Sequence, residues 1–131
     1  MSRVVRTLLE LALFGNFLFA QKPPEPKPAE PPEEDESLIP EKYSFNPLEA
    51  AKHLRTGNFY FKKGRWRAAA WRYEQATKWN PGEAEAWLKL GQAREKMKDG
   101  KGAREAYTKF LELAPENKEA ASVKKKLAGK L

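Results

Sequence analysis

The sequence has no cysteine and only one histidine among 131 residues. Without cysteine there is no disulfide framework, no thiolate zinc site, no cysteine nucleophile and no lipid-modified cysteine. A single histidine excludes a multi-histidine metal site. Long apolar runs are also scarce. The stretch Leu8 to Ala20 is about 13 residues, roughly 20 Å as a helix, against an apolar bilayer core about 30 Å thick. Glu10 and Asn16 interrupt it, so no stable transmembrane span is expected. No Gly-rich phosphate loop, no metal-ligand spacing and, in the folded part, no paired-carboxylate motif occurs. His53 has only Glu49, one helical turn back, as a near partner. These absences point away from an enzyme, and no cofactor and no metal are expected.

What is present divides into three compositions. Residues 1–20 carry Arg3, Arg6 and Glu10, a net +1. Residues 21–49 carry three lysines and eight acids, a net −5, and residues 50–131 carry twenty bases and nine acids, a net +11. The first segment reads as a signal peptide: a short basic start, an apolar run, then Leu18-Phe19-Ala20 as a cleavage site. Export to the bacterial cell envelope, periplasmic or secreted, is the expected localisation. The alternatives are an uncleaved N-terminal amphipathic helix that anchors the chain at a membrane, or a cytoplasmic protein.

Residues 21–46 read as a Pro/Glu-rich disordered spacer. Seven prolines fall between Pro23 and Pro40, and proline removes backbone donors and fixes φ. Extended polyproline II is the default, so twenty such residues reach roughly 60 Å. The run Glu33-Glu34-Asp35-Glu36 is either a solvated part of this linker or an acidic segment that folds back on the basic domain and competes with a partner.

The remaining residues repeat with a period of 34: Gly57 with Gly91, Ala69 with Ala103, Tyr73 with Tyr107, Pro81 with Pro115. Helices are expected near 47–63, 65–79, 83–97, 101–113 and 117–129. Asn46, Pro47 and Glu49 make a strong helix start. Pro81 and Pro115 end helices, and Gly64 and Gly100 mark the turns within the two pairs. Gly57 and Gly91 fall inside amphipathic helices, where glycine costs about 1 kcal/mol. That cost is tolerated where another helix approaches closely, and Ala69 and Ala103 are the expected facing residues. The last helix carries the narrow apolar stripe Ala120, Val123, Leu127 and Leu131, with Lys124, Lys125, Lys126 and Lys130 opposite, as a terminal cap needs.

The offsets Trp87, Leu90, Gly91, Ala103, Tyr107 and Pro115, and before them Gly57, Tyr60, Ala69, Tyr73 and Pro81, resemble the tetratricopeptide repeat family. His53 and Thr56 replace the usual Trp and Leu of the first copy, Arg94 replaces Tyr, and Phe110 replaces Ala. The resemblance implies an all-α fold: antiparallel helix pairs in a short right-handed solenoid over 47–131. Its repeats cover about 50–83 and 84–117, with a cap helix at 117–129. It also implies a groove lined by the first helix of each pair. By repeat offset, that places Leu54, Asn58, Phe61 and Lys62 beside Leu88, Lys89, Gln92 and Lys96. Two carboxamides there can grip peptide backbone, and the lysines favour an acidic peptide. The stretch Phe59 to Gly64, with Ala68, Ala69, Arg72 and Tyr73, is similar to a repeat of the tetratricopeptide lipoproteins of the bacterial β-barrel assembly machinery.

A non-catalytic adaptor or scaffold binding a protein or peptide is the expected role. One alternative is a cytosolic basic module binding nucleic acid, against which stand the acidic spacer and the scatter of basic residues over several helices. The other is a self-associating structural protein, because two repeats bury little core and about three are usually needed.

Overall fold

The structure, a computed structural model, describes residues 23, 24, 26 and 33–131. The signal-peptide expectation falls outside the described residues. Five α-helices follow in order: α1 Pro47–Lys62, α2 Trp66–Trp79, α3 Ala84–Lys96, α4 Gly100–Leu113 and α5 Ala120–Ala128. All lie within the unit spanning residues 31–131. No strand occurs among the described residues, and no helix among them is long and apolar enough to cross a membrane.

Local chemistry sets the boundaries. Asn46 caps α1: its carboxamide oxygen accepts from the amides of Leu48 and Glu49, each at 3.1 Å, and Pro47 occupies the first turn, where no donor is needed. Gly64 makes the α1–α2 turn with a φ of 73°, a left-handed conformation that glycine adopts without steric cost. The second pair turns differently from expectation. Lys98, not Gly100, takes the positive φ, at 63°. Asp99 then caps α4 by accepting from the Gly102 amide at 2.9 Å. Gly100 is the first residue of that helix. The last helix begins at Ala120, three residues later than expected, because Asn117 is spent on a turn whose carboxamide accepts from the Glu119 amide at 2.9 Å.

The helices pack as consecutive antiparallel pairs: α2 lies against both α1 and α3, α4 against α3, and α5 against α4. Small residues on α2 permit close approach, with Ala68, Ala69, Ala70 and Ala76 all buried. Tyr60 and Tyr73 fill the space between α1 and α2, and Leu90 and Ala93 of α3 join the same cluster. A second cluster around Leu88, Tyr107, Phe110 and Val123 holds α3, α4 and α5 together. Trp87 touches both clusters, and its indole N–H donates to the Pro81 carbonyl at 2.8 Å.

The repeat glycines face tyrosines rather than alanines. A Cβ built on Gly57 would meet the Tyr73 ring at 2.5 Å, and one on Gly91 would meet the Tyr107 ring at 2.6 Å. Ala69 and Ala103 are fully buried, but neither is among the atoms closest to these positions. The helix crossing brings the residue 16 positions on, not 12, over the glycine.

Within the stretch read as spacer, residues 33–46 run along α2 in the direction of that helix. Glu33 pairs with Arg65 at 3.2 Å and Glu34 with Arg67 at 3.6 Å near the start of α2. A single 3-10 turn, Glu36–Leu38, follows and is capped by Asp35. At the far end the Tyr43 hydroxyl donates to the Gln75 carboxamide oxygen. Its ring meets Trp79 edge-on at 5.1 Å, and the Asn46 amide donates to the Trp79 carbonyl at 2.9 Å. Phe45 and Leu48, beside this junction, are 73% and 76% exposed.

The lysines of α5 do not all face solvent. Lys126 is half-buried, and its ammonium donates to Glu95 of α3 at 3.0 Å and to the Tyr107 hydroxyl at 3.4 Å. Burial alone would lower its pKa, but the Glu95 carboxylate and the Tyr107 hydroxyl raise it overall. The pair ties the cap to the preceding repeat.

Candidate functional site

The groove positions lie on α1 and α3, the first helix of each pair. Leu54 is half-buried against the first core cluster. Leu88 is 8% exposed and belongs to the second. These two leucines are anchors of the fold, and only an edge of Leu88 reaches a surface cavity. Lys62 and Lys96 are exposed, whereas Asn58, Phe61, Lys89 and Gln92 are half-buried.

The side chains that meet are cationic and aromatic. Phe61 and Trp66 bracket the α1–α2 turn with ring centroids 4.9 Å apart in an edge-to-face arrangement. Lys89 of α3 places its ammonium 5.5 Å from the Phe61 centroid, and Lys96, two turns further along α3, stands 5.5 Å from the Trp66 centroid. A cation over an aromatic face is held by the ring quadrupole. Here it also links α3 to the first pair across the surface.

The two carboxamides are not equivalent, contrary to what their offset suggests. Asn58 already accepts from the Tyr73 hydroxyl at 2.7 Å, leaving its amide hydrogens for other partners. The corresponding tyrosine, Tyr107, donates to Glu95 at 3.3 Å instead of to Gln92. Burial pushes the Tyr73 phenol well above its ordinary pKa, and the Glu85 charge adds to this. Burial likewise raises Tyr107. Both phenols therefore act as neutral donors.

Two surface cavities are lined by residues of α1 and α3. One, of about 470 Å³, is lined by Arg55, Asn58, Phe59, Lys62 and Lys63 of α1 and the turn after it. The other, of about 400 Å³, runs from Glu85, Leu88, Lys89 and Gln92 to Phe110 and the Asn117–Glu119 turn. Asn58 and Lys62 thus line one cavity, Leu88, Lys89 and Gln92 the other, and Lys89 over Phe61 is one of the contacts that join the two helix pairs. Trp66, Arg55 and Glu85 are absent from the set predicted by repeat offset. Arg55 stands one position from Leu54, and its basic character together with Lys62 at i+7 was a readable signal. Trp66 lies on α2, and no offset along α1 reaches it.

His53, the lone histidine, is buried beneath the N-terminal edge. Its ring stands 6.3 Å from Trp71, and its Nδ1 has no hydrogen-bond partner among the described residues. Burial lowers its pKa, and the Arg72 charge lowers it further. Among the described residues, no group of three or more His, Cys, Asp or Glu could hold a metal ion.

Two family profiles match the chain, one described as TPR repeat over residues 57–98 and one as tetratricopeptide repeat over residues 84–117. No curated protein sequence matches the chain closely enough to serve as a relative. The matched span begins at Gly57 and ends after Pro115, so it contains both glycine–tyrosine contacts and both helix pairs from mid-α1 onward. Repeats of this family act as protein-binding adaptors and scaffolds. The antiparallel helix pairs, the glycines packed on tyrosines at a spacing of 34 and the two overlapping matches agree: residues 57–117 carry tetratricopeptide repeats.

Proposed function

We propose that this domain is a non-catalytic adaptor whose ligand is an acidic, extended protein segment held on the face formed by α1 and α3. The observation that carries this reading is the cluster of Lys89 over Phe61 and Lys96 over Trp66. Ammonium groups resting on aromatic rings are fixed in place before a ligand arrives, so less side-chain entropy is lost on binding. Carboxylates meet the lysines, apolar side chains meet the ring edges, and the Asn58 and Gln92 carboxamides are placed for peptide backbone.

The test is fluorescence anisotropy with a labelled acidic peptide and its Gln/Asn counterpart, against the native chain and a Lys89→Glu/Lys96→Glu variant. Exposed charge pairs are each worth about 0.2–1 kcal/mol, so reversing two lysines lowers affinity about tenfold, while circular dichroism is unchanged. Equal binding of the neutral peptide, or an unaffected reversal variant, would refute the acidic-ligand reading.

The same reading places the adaptor in the bacterial cell envelope, on the strength of Arg3, Arg6 and the apolar run ending at Ala20. Fractionation with intact-mass measurement tests this separately. A periplasmic species starting at Gln21 is expected, and a full-length cytosolic species overturns the localisation but not the adaptor role.

A further inference from the structure

The basic edge at the start of α2 is a different surface from the face of α1 and α3, and it already holds an acidic segment. Glu33 and Glu34 pair with Arg65 and Arg67 there. The charge of Asp35 acts on Arg72, a residue 4% exposed whose guanidinium lies over the Trp71 ring at 5.0 Å. The two ends of the segment are held unequally. Tyr43 is fixed by the Trp79 ring and the Gln75 carboxamide. The glutamates form open ion pairs, with the Arg67 and Glu34 side chains 84% and 44% exposed. Pairs this exposed contribute little and are screened by salt. The segment is thus a tether, anchored at its aromatic end and detachable at its acidic end.

We propose that the arginine edge of α2 is a second docking site, for an acidic extended segment of a partner protein, and that Glu33-Glu34-Asp35 occupies it in cis as a built-in competitor. Charge complementarity selects the occupant: Arg65 and Arg67 are paired with the consecutive Glu33 and Glu34, and the charge of Asp35 bears on Arg72, so a run of acids is the pattern the partner must present. Because the competitor is tethered, its effective concentration is high. Partners with fewer acids are excluded, and those with a longer acidic run displace it.

The test uses the full chain and a labelled peptide copying residues 32–38, read by anisotropy at low and high salt. Neutralising the competitor (Glu33→Gln/Glu34→Gln/Asp35→Asn) is expected to tighten binding about threefold to tenfold, the range that two or three exposed pairs supply. Adding Arg65→Glu/Arg67→Glu is expected to cancel that gain, while Lys89→Glu/Lys96→Glu, which lowers only the groove's own share of acidic-peptide binding, leaves the gain in place. That last arm separates this site from the groove: the groove reading can fail with this site intact, and the reverse. All altered side chains other than Asp35 and Lys89 are exposed, and circular dichroism of each variant confirms folding.

Equal affinity of the native and neutralised chains overturns the proposal, as does loss of the neutralisation gain on groove reversal. A reversible dimer of the native chain that disperses on neutralisation also overturns it, since the occupant would then be a second copy.

Discussion

Replacing Gly57 by alanine sets two effects against each other. Helix propensity alone favours alanine in mid-helix by about 1 kcal/mol. The structure opposes it, because the new Cβ would lie 2.5 Å from Tyr73 Cε1 and 2.6 Å from Cδ1. Ordinary contact begins near 3.4 Å, so the ring must retreat by about 1 Å. It has nowhere to go: Tyr73 is 0% exposed, and its hydroxyl is bound to Asn58 at 2.7 Å. Overpacking of this kind costs about 1–3 kcal/mol, and a strained or lost phenol hydrogen bond adds about 1 kcal/mol. Subtracting the propensity gain leaves a net loss of about 1–3 kcal/mol. For a domain of this size that lowers Tm by at least about 4 °C.

The assay is thermal and urea unfolding, followed by circular dichroism and by the fluorescence of the tryptophans. Gly91→Ala, facing Tyr107 at 2.6 Å, must behave alike. Gly82→Ala, whose nearest neighbour would be Asn80 Oδ1 at 3.5 Å, must be close to neutral. Pairing Gly57→Ala with Tyr73→Leu must recover part of the loss as a coupling energy, measured by a double-mutant cycle. A rise in Tm for Gly57→Ala, which propensity alone demands, would refute the argument from the contact.

Two further predictions concern the ends of the domain. His53 has a folded-state pKa below 6.5 because of burial and then of Arg72, with Glu49 opposing and Lys52 adding to the depression. The unfolded chain therefore takes up this proton first, so the stability His53 contributes is full above about pH 6.5 and is lost as pH falls through the folded value. Melts of the native chain and a His53→Leu variant between pH 7.5 and 5 must show a shallower decline for the variant, and parallel curves would contradict this. At the other end, Arg104 donates to the carbonyls of Leu127 at 2.7 Å and Gly129 at 3.2 Å. Arg104→Ala removes partners from the last carbonyls of α5 and costs about 1 kcal/mol locally. Amide exchange in α5 must accelerate several-fold while exchange in α1 and α2 stays the same, and unchanged α5 exchange would sink the assignment.

Much of this fold is legible in the sequence because its signals are local or periodic. Asn46-Pro47 starts α1 where cap chemistry says it should, and the 34-residue period separates the two pairs. What escapes is set by how helices cross. Spacing along the chain suggested Ala69 opposite Gly57, but the crossing puts Tyr73 there. Gly100 has the composition of a turn residue, yet Lys98 bears the left-handed conformation because Asp99 is the better cap. Lys126 reads as one of a solvated lysine run, yet it is drawn inward by Glu95, 31 residues earlier. The candidate site divides in the same way. Its lysines and carboxamides follow from repeat offset, whereas the part played by Trp66 requires knowing which face of α2 meets α3. That the acidic run folds back on the basic domain was readable as one of two alternatives, but its place on α2 depends on the distant anchor Tyr43.

The two glycine–tyrosine contacts are the same joint made twice, from residues at identical spacing on either side of Pro81-Gly82. The packing of ring on glycine recurs, although the phenols donate to different partners, Asn58 in one pair and Glu95 in the other. A further 34-residue unit entered at Gly82 would meet on each side the surface that its neighbours already present to one another, with the tethered segment and α5 still closing the two ends. The domain is thus built to gain or lose units by duplication, and the length of its α1–α3 face is an inheritable quantity, adjustable in steps of one helix pair.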